Sequence, residues 1–136
     1  MNNQKYNLRY YLIFAVLLLI FYYKSLYNEF SLDDNYIFQN IPPKGSSFSD
    51  IFSVFGKRFD ILDYRPIAMF TFAIEQFVFG TINPVVAHAI NLFIYFILSC
   101  LVFYVLHRLP INNAKSIALI AAILFIVHPV HAGTIN

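Results

Sequence analysis

The chain has 136 residues, of which 60% are hydrophobic, 19% aromatic and only 12% charged, with a formal net charge of +2. A soluble domain of this length cannot hide so much apolar surface. Nucleic-acid binding is also excluded as a class, since no basic cluster is interleaved with exposed aromatics.

All seven carboxylates, Glu29, Asp33, Asp34, Asp50, Asp60, Asp63 and Glu75, fall in one segment, while the flanks carry only Lys and Arg. The pattern predicts an all-α polytopic membrane protein, a single membrane domain whose main partner is the lipid bilayer. It has three transmembrane helices and an acidic first outer loop.

The first span runs from about 8 to 26, where Arg9 and Lys24 can lift their charges toward the headgroups. After Tyr22-Tyr23 the chain continues Lys-Ser-Leu-Tyr-Asn-Glu, without a small-x-small cleavage site, so the segment reads as a signal anchor rather than a removed leader. The second span is 84–106 and the third 116–136. Lys5 and Arg9 precede the first span, and His107-Arg108 with Lys115 fill the turn between the other two. By the positive-inside rule the N-terminus is cytoplasmic and the loop 27–83 extracytoplasmic. Cys100 sits mid-span as the single cysteine, so no internal disulfide forms.

Within the loop, Asp33-Asp34 directly follows the first span. Adjacent carboxylates near lipid raise one another's pKa and favour a base, but Asp-Asp-Asn can equally cap a short helix. Two prolines and Gly45-Ser46-Ser47 make a turn. Phe48, Ile51, Phe52, Val54 and Phe55 then recur at helical spacing, predicting an interfacial helix near 48–57. Pro66 suits a first helical turn and Gly80 a C-cap, predicting a second interfacial helix at 66–79. Thr71 and Glu75, four apart, form a narrow polar stripe on it. At about 14 residues it is too short to cross a bilayer.

His88 and Asn91 lie three apart at the entrance of the second span, with Tyr95 a turn below; His128 and His131 flank Pro129 at the end of the third. Under the predicted topology Asp33, Asp34, Arg65, His88, Asn91, His128 and His131 all reach one membrane face. Polar groups at that depth point to a functional site. Each also has a bland role: Arg65 can anchor to lipid phosphate, and His88 and Asn91 can bond between helices. Two histidines fall short of the three or four ligands that zinc takes, so no cofactor is expected.

Phe30-Ser31-Leu32-Asp33-Asp34, Tyr64-Arg65-Pro66-Ile67, Asn83-Pro84-x-x-x-His88-x-x-Asn91 and His128-Pro129-Val130-His131 together resemble the membrane glycosyltransferases of the C superfamily. The resemblance is to the O-mannosyltransferase-like group associated with tetratricopeptide repeats. It implies a hexosyltransferase-like enzyme that uses a polyprenyl-phosphate-linked sugar, with the acceptor left open. By that resemblance Asp33 is the catalytic base and Asp34 orients acceptor or base. Arg65 meets the departing phosphate, and His88, Asn91, His128 and His131 bind substrate. The chain departs from the pattern at Gly133, where relatives carry Glu, and at Tyr95, where a second His is common. The family has many more spans, which implies a fragment or one part of a split protein, completed by a further membrane segment or subunit.

Two other classes stay open. One is a three-span accessory or assembly subunit that binds a partner through its acidic loop. The other, ranked last, is a transporter fragment, since no carboxylate or His sits mid-span.

Overall fold

The computed structural model describes residues 8–30, 38–57 and 64–131. Among the described residues the chain is helical, with no strand. In order come α1 (Leu8–Tyr22) with a 3-10 turn at Tyr23–Tyr27, α2 (Phe48–Ile51) with a 3-10 turn at Phe52–Gly56, and α3 (Pro66–Phe79). Next are α4 (Pro84–Leu106), α5 (Ala114–Val127) and a closing 3-10 turn, Pro129–His131. The chain divides into two compact units, one made of Met1–Tyr27 with His88–Asn136, the other of Asn28–Ala87.

The first unit is a helical hairpin joined by α1. Phe14, Leu18 and Tyr22 repeat every four residues and form the buried stripe of α1, matched by Ala118, Ala122 and Ile126 on α5. The two alanines have no exposed surface, and their small side chains let the α5 backbone approach its neighbours closely. Phe103 of α4 completes the core, its ring 5.7 Å from Phe14 in an edge-on arrangement and 5.4 Å from Tyr10. The outward faces stay apolar, with Leu12, Val16 and Ile20 on α1 and Phe93, Ile97 and Leu101 on α4 all about half exposed or more. Such faces suit a lipid solvent.

Among the described residues two helical segments, Leu8–Tyr27 and Pro84–Leu106, are long and apolar enough to cross a bilayer. The expected third span is shorter than predicted: α5 has 14 residues, or about 21 Å of helix, well under the roughly 30 Å of hydrocarbon. Its start, at Ala114, follows Pro110 and a turn through Asn113 in the left-handed region at φ 57°, and comes two residues before the expected one; the shortening lies at the other end. Pro129 stops it, because His128 before a proline takes an extended conformation (ψ 124°). The apolar run continues past the proline, but the helix does not.

In the second unit Ser47 begins α2 with a reciprocal capping box. Its hydroxyl accepts from the Ser49 N–H at 3.1 Å while the Asp50 carboxylate accepts from the Ser47 N–H at 2.8 Å. Pro66 opens α3 and Gly80 closes it at φ 70°, donating its N–H to the Gln76 carbonyl. The core is Ile41, Ile51, Val54, Met69 and Ala73. Two longer links hold the loops: Lys57 donates to the Asn40 carbonyl at 3.0 Å, and the Tyr64 hydroxyl to the Phe55 carbonyl at 2.6 Å.

Candidate functional site

Within the first unit, polar chemistry gathers where α5 ends. In an uninterrupted helix the Phe125 carbonyl would accept from the N–H of residue 129, and the Ile126 carbonyl from that of residue 130. Residue 129 is proline and has no N–H. The Val130 N–H turns instead to Nδ1 of His128, at 3.2 Å. The Phe125 carbonyl, half-buried, is left with a long 3.4 Å contact from the His128 N–H, the buried Ile126 loses its helical donor, and phenols from two other helices take over. Tyr95 of α4 donates to the Phe125 carbonyl at 2.6 Å, with a longer 3.4 Å contact to Ile126. Tyr22 of α1 donates to the Ile126 carbonyl at 2.8 Å. The two phenol rings meet edge-on at 5.8 Å.

The histidines sit on this arrangement. His131 is half-buried, its ring 4.5 Å from that of Phe125 and 5.2 Å from that of Tyr95. His128 is exposed, with its ring 6.0 Å from His131. Accepting at Nδ1 leaves the proton of the neutral His128 ring on Nε2, so this ring presents a donor outward. The pair can therefore offer hydrogen bonds to a hydroxyl or phosphate lodged at the end of α5.

His88 and Asn91 belong to α4, about 10 and 6 Å along its axis from Tyr95. His88 is buried, at 6% exposure, while Asn91 is exposed. The two thus differ in exposure, although three residues apart they lie on neighbouring positions of the helix. Arg65 is exposed and belongs to the other unit, where its carbonyl receives the Met69 N–H at 3.1 Å in the first turn of α3. Asp33 and Asp34, the expected catalytic pair, lie outside the described residues. The structure thus brings together His128, His131 and Tyr95.

Two features escaped the reading of the sequence. Tyr22 had no assigned part, although the donor missing at Pro129 signals that some side chain must serve the carbonyls of α5. Glu75, expected on a polar stripe with Thr71, is 2% exposed. Its Oε1 accepts the Asn83 N–H at 2.7 Å, and its Oε2 has no hydrogen-bond partner among the described residues. Burial pushes its pKa above the usual carboxylate value, and the Asn83 N–H offsets part of that rise. Asn83 in turn caps α4 through Oδ1, which accepts the Val85 N–H at 2.9 Å.

An apolar groove of about 380 Å³ opens between α1 and α4, lined by Ala15, Leu18, Leu19 and Leu26 on one side and Ala89, Leu92, Phe93 and Phe96 on the other. It offers no polar side chain and suits an aliphatic chain.

No family model matches the chain, and no solved structure matches it. It is 27% identical over 123 residues to the human protein O-mannosyl-transferase TMTC1, and 28% identical over 123 residues to the mouse protein of the same name. Each match takes in 84% of this chain, which spans 14% of the length of the human relative and 13% of the mouse one. The two apolar helices and this similarity to an O-mannosyl-transferase point to a glycosyltransferase-like membrane protein.

Proposed function

We propose that the chain supplies part of a membrane glycosyltransferase site that moves a sugar from a polyprenyl-phosphate donor to an acceptor hydroxyl. The observation that carries the reading is the similarity to a protein O-mannosyl-transferase along 84% of the chain. The histidine turn and the apolar groove suit it, one as a set of hydrogen-bond donors, the other as a seat for an isoprenoid tail.

In this reading the Asp33 carboxylate takes the proton of the acceptor hydroxyl as its oxygen forms a bond to the anomeric carbon. The bond from that carbon to the phosphate oxygen breaks, its electron pair stays with the phosphate, and configuration inverts. Arg65 offers two parallel N–H donors to the departing phosphate, and Asp34 orients the acceptor or the base. His88, Asn91, His128 and His131 bind substrate. The site opens on the extracytoplasmic side, with the N-terminus cytoplasmic.

The test is retention of radiolabelled polyprenyl-phosphate mannose by the chain in lipid nanodiscs, with polyprenyl phosphate as competitor. Saturable, competed binding that weakens in Arg65→Ala is expected. Binding no greater than that of empty nanodiscs overturns the reading and leaves the accessory subunit, to be pursued by crosslinking from the acidic loop.

A further inference from the structure

We propose that Tyr22 and Tyr95 are positioning residues for His131, holding it through the end of α5 rather than by direct hydrogen bonds. The argument starts from a deficit. Pro129 and the turned Val130 N–H remove the donors that an unbroken helix would give the Phe125 and Ile126 carbonyls, leaving Phe125 only a long 3.4 Å contact from the His128 N–H; Ile126 is fully buried and Phe125 half-buried, so no solvent donor is at hand for the inner one. A buried carbonyl without a partner would be relieved by unwinding the last turn of α5. The phenols remove that incentive, with hydroxyls at 2.6 Å from Phe125 and 2.8 Å from Ile126.

Tyr95 acts twice. Its hydroxyl fixes the Phe125 backbone, and its ring faces His131 at 5.2 Å. The Phe125 ring, carried by that same backbone, lies 4.5 Å from His131. Tyr95 thus serves both aromatic walls of the imidazole, one as its own ring and the other through the Phe125 backbone that its hydroxyl holds. Tyr22 bonds the neighbouring carbonyl and braces Tyr95 edge-on. The two rings flank the half-buried imidazole and restrict its swing. A substrate-binding histidine needs that restraint, because an unfixed ring loses rotamer entropy on every binding event. The functional weight of this inference rests on the proposed transferase site; the positioning itself does not.

The test uses histidine-labelled chain in nanodiscs, read by nuclear magnetic resonance and by diethyl pyrocarbonate labelling with mass spectrometry. His131→Ala assigns the resonance. In the unaltered chain, His131 ring protons are expected upfield, from the currents of Tyr95 and Phe125. Tyr95→Phe keeps the ring and removes only the hydroxyl. It should move the His131 resonance toward the value of an exposed histidine and speed its labelling roughly fivefold, the factor for one neutral hydrogen bond. Tyr22→Phe should do the same to a smaller extent, and Tyr64→Phe, in the other unit, should do neither.

An unchanged His131 shift and labelling rate in both single variants, with helix content retained by circular dichroism, overturns the proposal. Should Tyr95→Phe lose its helix content, Tyr22→Phe alone decides, and its unchanged His131 shift is likewise fatal. Polyprenyl-phosphate mannose binding is measured on the same samples. A His131 response in a chain that binds no sugar keeps the positioning and discards the transferase reading; sugar binding with no His131 response does the reverse.

Discussion

The two phenols share a carbonyl, and that makes their contributions to stability interdependent. Tyr22→Phe removes a 2.8 Å donor from the Ile126 carbonyl, but Tyr95 remains 3.4 Å away and can close in. Tyr95→Phe removes a 2.6 Å donor from the Phe125 carbonyl, which keeps only the 3.4 Å contact with the His128 N–H. Each single variant should therefore cost about 0.6–1.5 kcal/mol, the range for one hydrogen bond between membrane helices or in a protein interior. In the double variant the Ile126 carbonyl is buried with neither phenol, and a stranded buried acceptor costs about 1–3 kcal/mol. The sum of the singles should thus fall short of the double by about 0.5 kcal/mol or more. Reversible unfolding of the chain in mixed lipid and detergent, followed by circular dichroism, closes the cycle. A double variant that equals the sum of its singles within about 0.3 kcal/mol would refute the shared-carbonyl argument.

Ala122→Leu places a large side chain where α5 has no exposed surface, and overpacking should cost about 1–3 kcal/mol in the same unfolding assay. Gly80→Ala should destabilise the second unit by about 1–2 kcal/mol, since φ 70° disfavours a Cβ that would also fall 2.9 Å from Cε of Lys44; limited proteolysis of the loop region reads the loss. Glu75 has a raised folded pKa, so the folded state holds its proton after the unfolded chain has released it, and stability falls as pH rises from the unfolded pKa to the folded one. Glu75→Gln should flatten that decline and leave the variant more stable than the parent at neutral pH, measured by unfolding across pH 4 to 8, roughly the span over which a shifted carboxyl titrates. Within the proposed transferase, Asp33→Asn should lower sugar transfer about 10²- to 10⁴-fold with little change in donor binding, the scale of a lost general base; equal loss of both would point to folding instead.

Local signals located several elements well. Pro66 and Gly80 bracket α3 because one presets the first turn and the other tolerates the left-handed exit, and both preferences are properties of single residues. The start of α2 adds a local pair, since Ser47 and Asp50 close a capping box within one turn. The length of α5 was harder to read, since Val130 prolongs an apolar run that hydropathy counts as span while Pro129 has already denied the helix its next hydrogen bond. Composition measures what lipid would accept, whereas the backbone decides what stays helical. Glu75 shows the opposite difficulty. Its spacing from Thr71 suggests an outward stripe, yet Thr71 bonds back to the Ala68 carbonyl at 2.8 Å and Glu75 is claimed by an N–H eight residues on. That donor exists only once the turn after Gly80 has folded back.

The histidine turn joins these cases. Pro129 announces in the sequence that two carbonyls need donors from elsewhere, but nothing near it in the chain says which. The answer comes from Tyr22 and Tyr95, 104 and 31 residues away from Ile126, and only packing of three helices selects them. The deficit is local and legible; its remedy is tertiary. A proline that costs α5 its last turn thus also creates the demand that ties three helices together at the point where His128 and His131 emerge.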